Sequence, residues 1–336
     1  MKAARAVVYK QPLVIGQVRD PEVGPNEVLI RVKACGICRS DVHVIDGDFT
    51  WASKLPVIPG HEVAGTIERL GEQVDHLKLG ARVGLSWPQA ACGHCDYCVR
   101  GEDVLCPTQR ATGVNVDGGF AELVRAPAAS VTIIPDALDL VEAAPLFCAG
   151  VTVFTPFEYA HCRPGDRVAV LGIGGLGHLA IQFARALGAE VIAISRGPEK
   201  LEFAFKLGAH HGIDATQVMP AEALKVLGGA NLILATTVDA SSIAAVIDGL
   251  APDGTLVILG GGGQPVQFFA GQLIGGRKRI MGSAAGSLKD MRATLECAAR
   301  YDIRPMIETH RLEAANQALD RVRANKPRFR AVLTMS

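Results

Sequence analysis

The chain has 336 residues, 49% of them hydrophobic, and its 34 Lys+Arg balance 34 Asp+Glu. That length suggests roughly two domains of about 150 residues each, with ample apolar content for two cores. Zero net charge argues against nucleic acid or an anionic membrane as partner. The first residues lack the apolar core of a signal peptide, and no apolar run is unbroken enough to span a bilayer, so a cytoplasmic protein with no membrane contact is expected. In that compartment the nine cysteines point to metal ligands or buried thiols rather than disulfides.

Up to about Gly150 the chain reads as strands punctuated by glycine and proline: Glu27–Ala34, Val63–Leu70, Ala81–Ser86, Phe120–Arg125 and Ser130–Ile134. That texture predicts an irregular β-barrel with long loops. From about Arg167 strands and helices alternate. Strands are expected at Val168–Leu171, Val191–Ser195, Asn231–Ala235 and Thr255–Leu259, with helices near Leu179–Leu187, Pro198–Leu207 and Ser241–Leu250. This is the pattern of a parallel, doubly wound sheet in an α/β protein. A short strand at Ile280–Gly282, helices at Leu288–Arg300 and Leu312–Ala324, and a strand at Arg330–Thr334 complete the chain.

The stretch VAVLGIGGLG, Val168 to Gly177, joins an expected buried strand to an expected helix. Gly172, Gly174 and Gly177 meet the G-x-G-x-x-G spacing, with Gly175 and Leu176 inside the turn. The first glycine permits a tight turn, the second lets backbone approach a pyrophosphate, and the third lets helix pack on strand. The free N–H groups at the helix start then face the phosphates.

Cys92, Cys95, Cys98 and Cys106 form C-x2-C-x2-C-x7-C. Thiolates this close in sequence can close a tetrahedron unaided, and four sulfurs suit Zn²⁺ in a structural site with no place for water. His94, inside this lobe, is expected to be solvated. A second group is scattered: Cys38 in CGICRSDVH, His61 in GHE and Cys148 in LFCAG. Two sulfurs, one nitrogen and an open fourth position make a catalytic zinc arrangement, although spacing alone does not select these three.

Five motifs in one order, CGICRSDVH, PGHEVAG, the four-cysteine lobe, LFCAGVT and GIGGLG, resemble those of the zinc-dependent medium-chain alcohol dehydrogenases. The resemblance implies a GroES-like barrel domain over residues 1–150, completed by 285–336, and a Rossmann domain over 151–284. It implies that Cys38, His61 and Cys148 hold a catalytic zinc. Glu62 matches a residue beside the metal, and Asp41 the acid that orients the histidine ligand. Ser40 matches the hydroxyl that bonds substrate oxygen, and His43 the base at the far end of a proton relay. Arg39 and Arg330 match cations that pair with the cofactor pyrophosphate, and Thr152 a residue near the nicotinamide. Trp51 and Trp87 match bulky positions lining the substrate cleft. Polyol dehydrogenases of this superfamily usually carry a carboxylate where Cys148 stands and often lack the cysteine lobe, so simple alcohols and aldehydes are the expected substrates. Relatives form dimers or tetramers, which makes a homodimer or homotetramer the expectation by analogy.

After the second Rossmann strand an NAD enzyme usually places an acid for the ribose 2′-OH. Ser195 and Arg196 stand there instead, with Lys200 one turn on and Glu199 the nearby acid. A hydroxyl and two cations suit a 2′-phosphate, so NADP(H) is expected ahead of NAD(H). The rival readings are a zinc-ribbon nucleic-acid binder, which zero net charge opposes, a polyol dehydrogenase, and a non-catalytic dinucleotide-binding relative. Cys35, Cys162 and Cys297 are read as ordinary thiols.

Overall fold

The computed structural model describes residues 1–49 and 54–335, so Trp51 lies outside the described residues. The chain divides into two compact units, Met1–Val151 with Ala285–Ser336, and Thr152–Ala284.

The first unit is built on a seven-stranded sheet centred on Glu27–Ile37. This strand pairs antiparallel with Glu62–Leu70, with Leu123–Pro127 and with Arg330–Thr334, and Ile307–Arg311 lies parallel beyond the last. Its middle alternates as a one-faced strand should, with Ile30, Val32 and Ala34 buried and Arg31 and Lys33 exposed. Beyond Ala34 every residue to Ile37 is buried, because neighbours cover both faces. Phe120, Leu85, Val63 and Leu333 share its core. Register then does the positioning. Gly36 pairs with Glu62, so the end of one strand, just before Cys38, meets the start of the next, just after His61. A Cβ on Gly36 would sit 1.8 Å from Glu62 Oε2, so glycine here leaves that carboxylate room to turn inward.

The second unit is a six-stranded, all-parallel sheet in the order His211–Asp214, Glu190–Ser195, Arg167–Leu171, Ala230–Ala235, Leu250–Ile258, Arg279–Gly282. Ranked by sequence that order is 3-2-1-4-5-6, the doubly wound arrangement whose crevice lies where the order reverses. The central strand Arg167–Leu171 is buried over its last four residues, and helix Gly177–Ala186 packs Leu179, Ala180, Ile181 and Phe183 inward.

Two local expectations are corrected. The edge strand His211–Asp214 was not expected, because HGID carries a single buried residue, Ile213, and shows no period. The helix expected over Ser241–Leu250 stops at Ala244 and gives way to a 3₁₀ turn, Ile247–Gly249, feeding the strand at Leu250. Among the described residues no single helix is long and apolar enough to cross a membrane.

Candidate active site

At the end of strand Glu27–Ile37 the chain turns through Cys38 into the helix Arg39–Asp46. Asp41, wholly buried, organises the turn: its carboxylate accepts from Cys38 N (2.7 Å), from Gly60 N (3.1 Å) and from His61 Nδ1 (3.0 Å). Gly60 adopts φ +100°, and a Cβ there would strike the Phe120 ring at 2.4 Å, so only glycine brings His61 in this close. With Nδ1 held by Asp41, Nε2 is the ring nitrogen left to face a ligand.

That Nε2 is buried without a hydrogen-bond partner, and so is Glu62 Oε2. Buried polar atoms are almost always satisfied, so two adjacent orphans call for a ligand. Around them stand the thiols of Cys38 and Cys148, with sulfurs 3.8 Å apart. Donor atoms of Cys38, His61, Glu62 and Cys148 all lie within 4.8 Å of one another. Two sulfurs, a nitrogen and an oxygen at that spread fit one zinc ion.

The electrostatics favour a cation. The hydrogen bond from Cys148 holds the Cys38 thiol well below its ordinary value, and the same bond together with burial pushes Cys148 well above its own. Burial alone would depress His61, but the Asp41 carboxylate outweighs it and holds the imidazole well above its ordinary value. Burial likewise pushes Glu62 up to about 7 against the pull of Arg330. Arg330 is itself buried; its guanidinium donates to Glu62 Oε1 and to Ile37 O, so it is not a solvated surface charge.

Ser40 and His43 lie three residues apart on one helix, hence on one face. Ser40 Oγ is 3.7 Å from Cys38 Sγ. His43 is 41% exposed and bonds Asp48 Oδ2 through Nδ1 at 2.7 Å. Arg39 is exposed and donates to Arg323 O. The Trp87 ring meets His61 edge-on at 5.1 Å and Phe49 at 5.9 Å, which places it beside the donor group. Phe49 and Asp48 were missed from sequence, although Gly47 between His43 and Asp48 was a turn signal. Thr152 is half-buried in the first turn of helix Ala149–Tyr159.

The second donor group is local. Sγ atoms of Cys92, Cys95, Cys98 and Cys106 lie within 4.8 Å of one another. Two amides point at sulfurs, Cys95 N to Cys92 (3.3 Å) and Cys92 N to Cys106 (3.4 Å). Bonds from the Thr108 hydroxyl and the Cys92 amide hold Cys106 down to about 6. The lobe has almost no core of its own, with Tyr97, Val99 and Leu105 all exposed, so an ion would supply what packing does not. His94 is exposed, as expected.

In the second unit the glycines take three different environments. Gly172 adopts φ +93°, and the Cβ of any other residue at 177 would lie 1.9 Å from Gly172 O, whereas a Cβ on Gly174 would meet nothing within 4 Å. Gly174 is thus open to a ligand, with Gly175 and Leu176 half-buried beside it. Thr236 Oγ1, which sequence did not single out, donates to Leu171 O and Gly172 O and braces the turn. Ser195 is buried at its strand end, while Arg196, Glu199 and Lys200 are exposed. The Asp214 carboxylate close by is committed to Gly197 N, Thr216 N and Thr216 Oγ1. Cys35 is buried, and burial pushes its thiol well above its ordinary value.

Comparison with known proteins identifies the family. Residues 24–136 match the alcohol dehydrogenase GroES-like domain, and residues 175–300 match the zinc-binding dehydrogenase domain. The chain is 41% identical over 336 residues to an alcohol dehydrogenase of Geobacillus stearothermophilus, covering 99% of both. It is 38% identical over 319 residues to an aldehyde reductase of a Synechocystis species, covering 94% of both. A cinnamyl alcohol dehydrogenase structure from Sorghum bicolor superposes with a TM-score of 0.91 at 32% identity, over 99% of this chain and 97% of that one. Identity at this level along nearly whole chains, on the same two-unit fold, makes the protein a member of the zinc-binding medium-chain alcohol dehydrogenase family.

Proposed function

We propose that the protein interconverts a primary or secondary alcohol and the matching aldehyde or ketone, using NADP(H) in preference to NAD(H), at the group formed by Cys38, His61 and Cys148. One observation carries this reading: His61 Nε2 and Glu62 Oε2, buried and unpartnered, stand with two thiols within 4.8 Å.

Bound zinc would supply Lewis-acid chemistry, lowering the pKa of an alcohol oxygen. A bound nicotinamide would supply the hydride acceptor. The chain's own residues do the rest. Asp41 locks the His61 ring, and Glu62, charge-compensated by Arg330, tunes the field at the donor group. Ser40, beside Cys38, receives the alcohol proton, and the half-exposed His43 delivers it to solvent. Trp87, with Phe49 against it, walls the substrate side with apolar surface.

The Gly172–Gly177 turn receives the pyrophosphate at the helix start. Ser195, Arg196 and Lys200 face a 2′-phosphate. Asp214, half-exposed on the neighbouring strand, turns Oδ1 to Gly197 N and to Thr216 and so braces the turn that carries Arg196. The four-cysteine lobe holds a second, structural zinc. A cytoplasmic homodimer or homotetramer acting on small molecules completes the proposal.

The test is Cys148→Ala. Turnover is expected to vanish, cofactor binding to persist, and zinc to fall from about two to about one per chain. Rates with a panel of alcohols and aldehydes, with NADP and NAD in parallel, then assign coenzyme and substrate class. Substantial residual turnover in the variant would remove Cys148 from the chemistry. Strong preference for polyols would favour the polyol reading.

A further inference from the structure

The helix Arg39–Asp46 ends at Gly47, whose backbone is left-handed at φ +77°. Gly47 N donates to Val44 O (3.2 Å) and Asp48 N donates to His43 O (2.9 Å). This pair of bonds is a standard helix stop, in which the residue after the glycine returns over the last full turn. The two side chains so brought together are usually apolar. Here they are His43 and Asp48, and Nδ1 lies 2.7 Å from Oδ2. The other acid in reach, Asp46, is committed to Arg323, whose NH2 donates to Oδ1 at 2.8 Å. Phe49 packs on the imidazole at 5.8 Å between ring centroids and limits its tilt.

We propose that Asp48 is a positioning residue for proton transfer: its carboxylate, aimed by the Gly47 turn, holds His43 as the Nδ1–H tautomer and fixes the ring so that Nε2 alone can accept a proton. The proposal rests on the reading of His43 as the end of the proton path. A free neutral imidazole divides between two tautomers, and the Nε2–H form cannot accept at the nitrogen facing away from Asp48. A carboxylate on Nδ1–H removes that form, the same logic by which an aspartate serves the histidine of a hydrolase triad. In the step itself the proton leaves the alcohol hydroxyl along the Ser40 path, bonds to the Nε2 lone pair, and is then lost from Nε2 to bulk water. No electrons leave the imidazole, and the Nδ1 hydrogen bond to Asp48 is kept throughout.

The experiment uses the zinc-loaded enzyme with four variants: Asp48→Asn, His43→Gln, the double variant, and Asp46→Asn as control. Nitrogen-15 spectra of the His43 ring are taken in alkaline buffer, where imidazole is neutral, and kcat and cofactor KM are measured for alcohol oxidation. Wild type should show the Nδ1–H signature, and Asp48→Asn a mixture or the Nε2–H form. Asp48→Asn should lower kcat by about three- to tenfold with cofactor KM unchanged. In the His43→Gln background it should have no further effect, and Asp46→Asn should retain the wild-type tautomer. Thermal melting checks that each variant folds, which the retained backbone cap favours. An unchanged tautomer in Asp48→Asn overturns the proposal, as does equal slowing with and without His43. If His43→Gln keeps full kcat, the relay reading fails and the catalytic part of the proposal falls with it. A tautomer still shifted by Asp48→Asn would then identify the relay reading, rather than the His43–Asp48 geometry, as the error.

Discussion

His61 Nδ1 lies 3.0 Å from Asp41 Oδ1, and the same carboxylate holds the amides of Cys38 and Gly60. One buried acid therefore sets the position of two of the proposed ligands at once. Asp41→Ala would leave three donors unsatisfied in a dry site, at about 1 kcal/mol or more each. Stability should drop by roughly 3 kcal/mol, and zinc affinity at this site by about 10- to 100-fold. Thermal melting and competition with a chelator measure the two effects; unchanged metal affinity would show that Asp41 does not orient the ligand.

The glycines of the turn should separate cleanly by substitution. Gly174→Ala puts its Cβ into open space, so the fold should keep its melting temperature while cofactor Kd rises by about tenfold or more. Gly177→Ala drives a Cβ to 1.9 Å from Gly172 O and must push helix from strand, costing about 1–3 kcal/mol. Calorimetry and cofactor titration on both variants distinguish a binding effect from a folding effect.

Arg196 is exposed at the end of strand Glu190–Ser195, next to the committed Asp214. If it reads a 2′-phosphate, Arg196→Ala should reduce kcat/KM with NADP by about 10- to 100-fold and leave the NAD value almost unchanged, since a charge-assisted bond contributes about 1.5–3 kcal/mol. Equal losses with both coenzymes would place Arg196 elsewhere.

Asp46 and Arg323 clamp the helix Arg39–Asp46 to the helix Ala315–Arg323. The guanidinium bonds hold the Asp46 carboxyl below its ordinary 3.8. A depressed carboxyl contributes stability above its unfolded value and loses it as pH falls through its folded one. Asp46→Asn should therefore be less stable than wild type near neutral pH, by about 1 kcal/mol at most because both side chains are partly exposed. The gap should close as the pH is lowered below 3.8, which melting curves across that range would reveal.

What could be read without coordinates was whatever depends on neighbours in the chain. The alternation of buried strands and helices after Arg167, the glycine spacing at Gly172–Gly177 and the clustering of Cys92 to Cys106 are short-range patterns, because a turn or a ligand loop is closed by residues close in sequence. Weakly patterned elements escaped. The edge strand His211–Asp214 owes its conformation to pairing with Glu190–Ser195, not to any period of its own. The return of Asp48 over His43 depends on one left-handed glycine.

The gathering of Cys38, His61 and Cys148 was decided only in three dimensions, since 110 residues separate the two sulfurs that end 3.8 Å apart. No local signal could encode that approach. It follows from the pairing of Gly36 with Glu62 and from the burial of Asp41 and Arg330 around the site. Those are long-range contacts, whose energy is realised only when the whole sheet has formed.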